Sequence, residues 1–180
     1  MIISKTPLRI SFFSGGSDMP EYYMKEDGAA LSVTIDKFIY VMAHKTQNIG
    51  IKTMYDQIEE TADIETMQHA ITKEALKLYG HDKEMTIASV SDILSKGSGL
   101  GSSSAFTIGL IKALSFYKNE PIPTNILAEM ACEIEMNRCS YPVGKQDQYA
   151  AAFGGMNLFE FKKNGSVSVQ PIGITKPSIQ

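Results

Sequence analysis

With 180 residues, 43% hydrophobic and 21% charged, the chain is long enough for one well-filled domain and marginal for two. A net charge of −3 gives no general attraction to nucleic acid or to an anionic membrane, so phosphate would have to be held by a local device and the expected ligand is small. The opening Met1-Ile2-Ile3-Ser4-Lys5 lacks a signal-peptide profile, and the longest uncharged run, Gly97 to Ile111, is short and rich in Gly and Ser; neither secretion nor a membrane span is expected, and the cytoplasm is the expected compartment.

Ile2 to Phe13 reads as a strand punctuated by Pro7, and Ala29 to Ile35 and Phe38 to His44 as two more, rich in β-branched and aromatic residues. From about Asp63 the period becomes helical, with Ile71, Ala75, Leu78 and Tyr79 on one face and Gly80 as the stop. Met85 to Val90 is a strand. Ser102 to Lys118 is apolar nearly all round, the mark of a buried helix. Thr124 reads as the N-cap of a further helix in which Ile126, Met130 and Ile134 recur beside Leu127 and Ala131. Cys132 and Cys139 fall in that segment, and seven helical steps separate their Cα atoms by about 10 Å, beyond disulfide reach; two reduced structural thiols are expected, which fits the cytosol. Lys145 to Phe153 is a short helix broken by Gly154-Gly155, and Met156 to Phe161 with Ser166 to Pro171 form a hairpin around Asn164-Gly165. No internal repeat, linker or low-complexity tract interrupts this order. It argues an α+β domain with helices against one sheet face; a doubly wound α/β fold fits less well.

Three segments carry chemistry. In KGSGLGSSSA, Lys96 to Ala105, a glycine-rich turn runs into a helix, pointing backbone N–H groups at one spot where the helix dipole favours an anion. The spacing is neither that of a P-loop nor that of a dinucleotide fold, and a flexible turn with a Ser cap explains the glycines equally well. In TPLRISFFSGGSD, Thr6 to Asp18, Arg9 sits inside an apolar strand and must find an anion, either a structural carboxylate or a substrate group. Asp18 in its turn reads as an Asx-turn residue or a sugar-binding carboxylate. In GKQDQYAAAFGG, Gly144 to Gly155, Asp147 opens a helix, as a dipole-stabilising residue or as an acceptor for a substrate hydroxyl proton. Glu133 and Glu135 precede it, and for Glu135 a solvated helix face is the plain expectation.

Taken in order, the three segments resemble the motifs of the GHMP kinase superfamily, and "TPLRISFFSGGSD", "LSVTIDKFIYV" and "GKQDQYAAAFGG" are most similar to its sugar kinases that act on D-glycero-D-manno-heptose 7-phosphate. The resemblance runs from Thr6 to about Phe161. It implies the two-layer amino-terminal domain of that family (ribosomal protein S5 domain 2-like), a mixed sheet with helices packed on one face, over residues 1–180. It implies ATP and Mg²⁺, with transfer of the γ-phosphoryl group to the anomeric hydroxyl of a sugar or sugar phosphate. Asp147 would be the catalytic carboxylate and Arg9 would stabilise charge beside it. Gly15, Gly16, Ser17 and Asp18 would hold the sugar, and Gly97, Ser98, Gly99, Leu100, Gly101, Ser102, Ser103 and Ser104 the triphosphate. Ser103 and Glu135 would hold the metal, with Glu133 the alternative.

Ser14, Ser17 and Ser104 depart from residues common in such relatives, which bears on substrate choice. Family members also continue into a carboxy-terminal domain that closes the cleft, so a truncated chain is expected. A fucokinase-like or galactokinase-like substrate, or a sugar- or nucleotide-binding regulatory protein without turnover, are the alternatives. No nucleic-acid or membrane partner is expected, and a homodimer is left open. A serine hydrolase is disfavoured, because Ser102 to Ser104 lack a Gly-x-Ser-x-Gly elbow and His44, His69 and His81 have no placed partner. Which of Lys5, Lys37, Lys96 and Lys145 meets a substrate phosphate stays open.

Overall fold

The computed structural model describes residues 1–13, 15–47, 50–80, 84–93 and 98–173. Seven strands, β1 (Ile2–Phe13), β2 (Gly28–Lys45), β3 (Ile51–Met54), β4 (Ile58–Thr61), β5 (Met85–Ser91), β6 (Met156–Phe161) and β7 (Val167–Pro171), make one mixed sheet. Its order is β4-β3-β5-β2-β6-β7, with β1 along the other edge of β2, and only the β3–β5 pairing is parallel. The helices are α1 (Pro20–Tyr23), α2 (Ala70–Tyr79), α3 (Ser102–Tyr117), α4 (Thr124–Cys132) and α5 (Gln146–Phe153). The architecture is α+β, as the element order predicts.

The two strands expected over 29–44 are one strand, β2, of 18 residues. Its halves have different neighbours: Gly28 to Val33 pair with β6, and Ile39 to Lys45 with β5. Between them the register with β1 jumps, from Pro7 opposite Phe38 to Arg9 opposite Thr34, so one residue of β1 faces three of β2. Pro7 has no N–H to give the ladder, and the bulge absorbs the gap. Asp36-Lys37, which mimic a turn in the sequence, lie in this bulge.

The β3–β4 hairpin has no counterpart among the expected elements. Its strands are four residues long and carry Lys52, Glu59 and Glu60, with Lys52 paired to Glu60 at 2.5 Å. Such polarity protects a sheet edge and erases the alternation that reveals a strand. Helix α2 starts later than expected, at Ala70, where His69 Nδ1 accepts the N–H of Thr72 at 3.2 Å, and it ends at Gly80 with φ 62°. Its buried face is Ile71, Thr72, Ala75, Leu76 and Tyr79, while Leu78 faces solvent.

The central helix α3 packs across β1 and β2 at Gly109. A Cβ there would lie 3.0 Å from Ser4 Oγ and from Thr6 Oγ1, and Ser4 donates to the Gly109 carbonyl at 2.7 Å, so the glycine sets how close the helix sits. Pro123 occupies the cap position of α4, which makes Thr124 its first helical residue, and Ile126 is exposed. The helix runs on into a π-helical turn, Glu133–Arg138, closed by Cys139 N–H on the Ile134 carbonyl at 2.8 Å. The helices and sheet enclose a main core around Leu8, Ile51, Leu76, Ile87, Leu110 and Ile134. A second cluster of Tyr23, Cys132, Tyr149, Phe159 and Phe161 lies beneath α4 and α5. Cys132 and Cys139 are not disulfide-bonded, and burial pushes both thiols up. No described helix is long and apolar enough to cross a membrane.

Candidate active site

Arg9, delivered by β1 just past the bulge, ties three segments together. Its Nε and Nη2 both donate to Asp147 Oδ1, at 2.9 and 2.6 Å, its Nη1 donates to the Gly99 carbonyl at 2.7 Å, and its main-chain N–H donates to the Leu100 carbonyl at 3.1 Å. The guanidinium expected to need an anion therefore has one, and that anion is the expected catalytic carboxylate. Among the described residues nothing donates to Asp147 Oδ2, and the Asp147 side chain is 27% exposed against 10% for Arg9. One carboxylate oxygen is anchored and the other has no donor among the described residues.

Beside the pair, Gly99 and Gly101 both have left-handed backbones, φ 67° and 75°. Gly101 occupies the cap position of α3 with no side-chain cap, so among the described residues the N–H groups of Ser102, Ser103 and Ser104 have no acceptor and point where an anion would be held. A Cβ on Gly101 would come within 3.3 Å of Arg9 Cγ and 3.5 Å of Asp147 Oδ2, so glycine is what lets the loop pass over the ion pair. Next to this helix end opens a cavity of about 410 Å³ whose walls include Ile39, Tyr55, His69, Ser89, Ser103 and Phe106. The His69 ring stands 4.4 Å from Tyr55 and 5.2 Å from Phe106, centroid to centroid. Because His69 Nδ1 accepts a main-chain N–H, its proton lies on Nε2, and burial lowers its pKa. The size and aromatic lining suit a planar ring.

Residues 145–149 place one helical turn at the junction of the site. Gln146 Oε1 accepts from Ser11 Oγ at 2.9 Å, and its main-chain N–H donates to Asp18 Oδ2 at 3.2 Å. Gln148 Nε2 donates to Glu135 Oε2 at 2.8 Å. Just before this turn, a Cβ on Gly144 would lie 2.0 Å from Asp18 Oδ2 and 2.8 Å from its carbonyl oxygen. Gly144→Ala is accordingly expected to destabilise the fold by about 1–3 kcal/mol through forced separation of Asp18 from α5, read as a lower thermal midpoint.

Glu135 is fully buried, against the expectation of a solvated face. The π-helical turn, with its extra residue, rotates it inward, while Glu133 points to solvent beside Asn137 and Arg138. Its Oε1 accepts from Thr107 at 2.5 Å, and its Oε2 accepts from Ser104 at 2.9 Å as well as from Gln148. Burial raises its pKa, and these three donors oppose the rise only in part. Every donor is neutral, and among the described residues no cation balances the carboxylate and buried Gln148 Oε1 lacks a hydrogen-bond partner. The Glu135 carboxylate with the Ser104 and Thr107 hydroxyls is an oxygen set that suits a hard divalent cation such as Mg²⁺. No group of three or more His, Cys, Asp or Glu side chains gathers among the described residues, so such an ion would draw most of its ligands from phosphate and water.

The structure brings Arg9, Gly99, Leu100, Gly101 and Asp147 together, joins Asp18 to them through Gln146, and joins Glu135 through Gln148. Ser104, rather than the expected Ser103, meets Glu135; Ser103 is turned one helical step away, onto the cavity wall. Ser98 Oγ lies 3.2 Å from Ser102 Oγ and steadies the loop. Gly15 is exposed, Gly16 turns the chain with φ 84°, and Ser17 donates to the Ala29 carbonyl at 2.8 Å. Asp18 is buried, which raises its pKa, and the Gln146 N–H opposes that rise. Lys145 points away from the site and Lys5 lies 3.7 Å over the Phe38 ring. Ser14, Lys96 and Gly97 lie outside the described residues. Sequence reasoning missed Ser11, Thr107, Gln146 and Gln148 as well as Tyr55, His69 and Phe106. Thr107 was findable, one helical turn after Ser104 on the same face.

A family model for the GHMP kinases N terminal domain matches residues 65–155. A D-glycero-alpha-D-manno-heptose 7-phosphate kinase of Campylobacter jejuni is 33% identical over 190 residues, covering 96% of this chain and 54% of that protein, so the chain spans about half the length of this relative. Among solved structures, one described as a D-glycero-D-manno-heptose 1-phosphate kinase from Bacteroides thetaiotaomicron superposes with a TM-score of 0.88 at 29% identity, over 97% of this chain and 61% of that one. A putative sugar kinase from Campylobacter jejuni gives 0.78 at 32% identity, over 96% and 59%.

Proposed function

We propose, from the premise that this chain belongs to the GHMP kinase family, that it transfers the γ-phosphoryl group of ATP to a sugar hydroxyl. The observation that carries the reading is the Arg9–Asp147 pair at the N-terminus of α3, with Asp147 Oδ2 left open. ATP would place its phosphates against the N–H groups of Ser102, Ser103 and Ser104 and its base in the cavity of Tyr55, His69 and Phe106. Asp147 Oδ2 takes the proton of the attacking hydroxyl, the hydroxyl oxygen forms its bond to the γ-phosphorus, and the bond to the bridging β–γ oxygen breaks with its electron pair leaving on ADP. Arg9 fixes the Asp147 rotamer and adds positive charge where charge develops. Mg²⁺ held by Glu135 with Ser103 or Ser104 would neutralise the phosphates. The turn at 15–18 and Asp18 would hold the sugar. Residues 1–180 would form the ATP-binding and catalytic domain, and the reaction would run in the cytoplasm.

The substrate we propose is D-glycero-D-manno-heptose 7-phosphate, phosphorylated at its anomeric hydroxyl. Its support is the 33% identity to a relative named for that sugar phosphate. The Bacteroides protein is named for the 1-phosphate, so the position of the new phosphate has to be read directly. ADP release from Mg-ATP with the heptose 7-phosphate, galactose, fucose and mevalonate, followed by ³¹P NMR of the product, tests this. Release with the heptose alone and a new anomeric phosphate are expected. Release with galactose or fucose instead moves the substrate. ATP binding with no release for any acceptor makes these 180 residues either half of an enzyme or a regulatory binding protein, and the same assay on a longer product that includes a carboxy-terminal domain decides between them.

A further inference from the structure

Asp147 faces Arg9 from an eight-residue helix whose later part is Ala150, Ala151 and Ala152. Apolar packing under that helix, the Tyr149 ring against Phe159 of β6, is non-directional and leaves rotation about the axis cheap. Directional contacts must set the angle. Gln146 with Ser11 and Asp18, and Gln148 with Glu135, supply some of them, and on the side away from Arg9 Glu129 of α4 supplies the others. Its two oxygens accept from Lys145 Nζ at 3.3 and 3.1 Å, and its Oε1 also accepts from the Tyr149 hydroxyl. Lys145 Nζ donates in addition to the Gly165 carbonyl in the β6–β7 turn at 2.7 Å, and its main-chain N–H donates to the Asp18 carbonyl at 3.2 Å. The Lys145 side chain is 11% exposed and Tyr149 is buried, whereas Glu129 is 44% exposed. Burial and Glu129 both raise the Tyr149 pKa, which keeps its hydroxyl a donor.

Lys145, the N-cap of α5 with a helical backbone, lies at 100° per residue on the same side as Tyr149, and Asp147 lies nearly opposite. We propose that Glu129 is a positioning residue: by holding Lys145 and Tyr149 one helical turn apart, it fixes the rotation of α5 that sets Asp147 Oδ1 on Arg9 and leaves Oδ2 facing the ligand. Lys145, the buried cation of the motif, thus serves the helix and not a substrate phosphate. Only the consequence for turnover rests on the kinase reading; the positional claim stands apart from it.

The test follows the Arg9 Nε–H resonance by ¹⁵N NMR, since that proton lies in the bond to Asp147. Glu129→Ala is expected to speed its exchange with solvent about tenfold, and to lower kcat about tenfold with KM for ATP little changed, because a reacting group is misplaced while binding is not. Lys145→Arg, which keeps a cation on Glu129, is expected to retain slow exchange. Leu76→Ala in α2 lowers the melting temperature without touching the clamp and should leave the exchange rate alone. Should Glu129→Ala fail to fold, Glu129→Gln, of the same shape without the charge, is read in the same way. Unchanged Arg9 Nε–H exchange in the folded Glu129 variant would overturn the proposal and reduce the clamp to a stability device. Absence of turnover in the unsubstituted chain would count against the kinase reading alone, since the exchange measurement still decides the positioning.

Discussion

Replacing Asp147 by Asn is expected to lower the rate of ADP production by about 10²–10⁴-fold, the range for loss of a positioned general base. The substitution is nearly isosteric. The Asn oxygen can still accept both Arg9 donors in place of Oδ1, so the loop held by Arg9 through Gly99 and Leu100 should stay in place. What changes is the open side, where an acceptor becomes an NH₂ donor that can take no proton. Arg9 also loses its charged partner in a mostly buried place, at a cost of about 1–3 kcal/mol, or roughly 2–12 °C in melting temperature for a chain of this size. Initial rates and thermal melts on the same preparation separate the two effects. A variant that melts near the parent and turns over within tenfold of it would remove Asp147 from the chemistry.

Glu135→Gln is expected to raise stability in the absence of metal, and only above mildly acidic pH. The Glu135 pKa in the folded chain is raised above its ordinary value of 4.5, by burial first. A carboxyl shifted in this direction favours folding in its neutral form, so its contribution is full below the unfolded pKa and is lost as pH climbs through the folded one. Between pH 4 and pH 8 the parent should therefore lose melting temperature that the Gln variant keeps, and the two should converge near pH 4. Asp18, also raised, adds a slope of the same sign in both proteins. With the proposed Mg²⁺ site at Glu135, Mg-ATP is expected to reverse the ranking at pH 8. A cation on Glu135 would neutralise the buried charge and stabilise the parent by the linkage relation, about 2.7 kcal/mol at a hundredfold excess over Kd, while the Gln variant would respond weakly. Melting curves at both pH values, with and without Mg-ATP, read all four corners. Equal slopes in the two proteins would mean that Glu135 is not held neutral by the fold.

The site was legible in the sequence wherever a residue broke the local rule of its element. Arg9 inside an apolar strand, Gly99 and Gly101 ahead of a buried helix, and Asp147 opening an Ala-rich turn before Gly154-Gly155 each carried a local conflict, and each lies at the site. The helices α2 and α3 and the closing hairpin were legible from periodicity and from Gly80 and Gly165. Other features depend on tertiary context. β2 is one strand because two different partners hold its halves, and no local signal reports that Asp36-Lys37 form a bulge and not a turn. Glu135 is buried because a π-helical turn inserts an extra residue, which 3.6-residue counting cannot see. The cavity is assembled from Tyr55, His69, Ser89 and Phe106, which share no window of sequence, and two of its walls come from or adjoin the polar β3–β4 hairpin that alternation failed to mark.

The most direct test of a phosphoryl-transfer centre at Arg9 and Asp147 is a single turnover. The chain, in molar excess over ATP labelled at the γ-phosphorus, is mixed with Mg²⁺ and heptose 7-phosphate, quenched at intervals and resolved into ATP, phosphate and sugar phosphate. Label moving from ATP into a sugar bisphosphate, in the parent and not in Asp147→Asn, is the predicted result. Label remaining in bound ATP, or appearing only as inorganic phosphate at the same rate in both proteins, would contradict it.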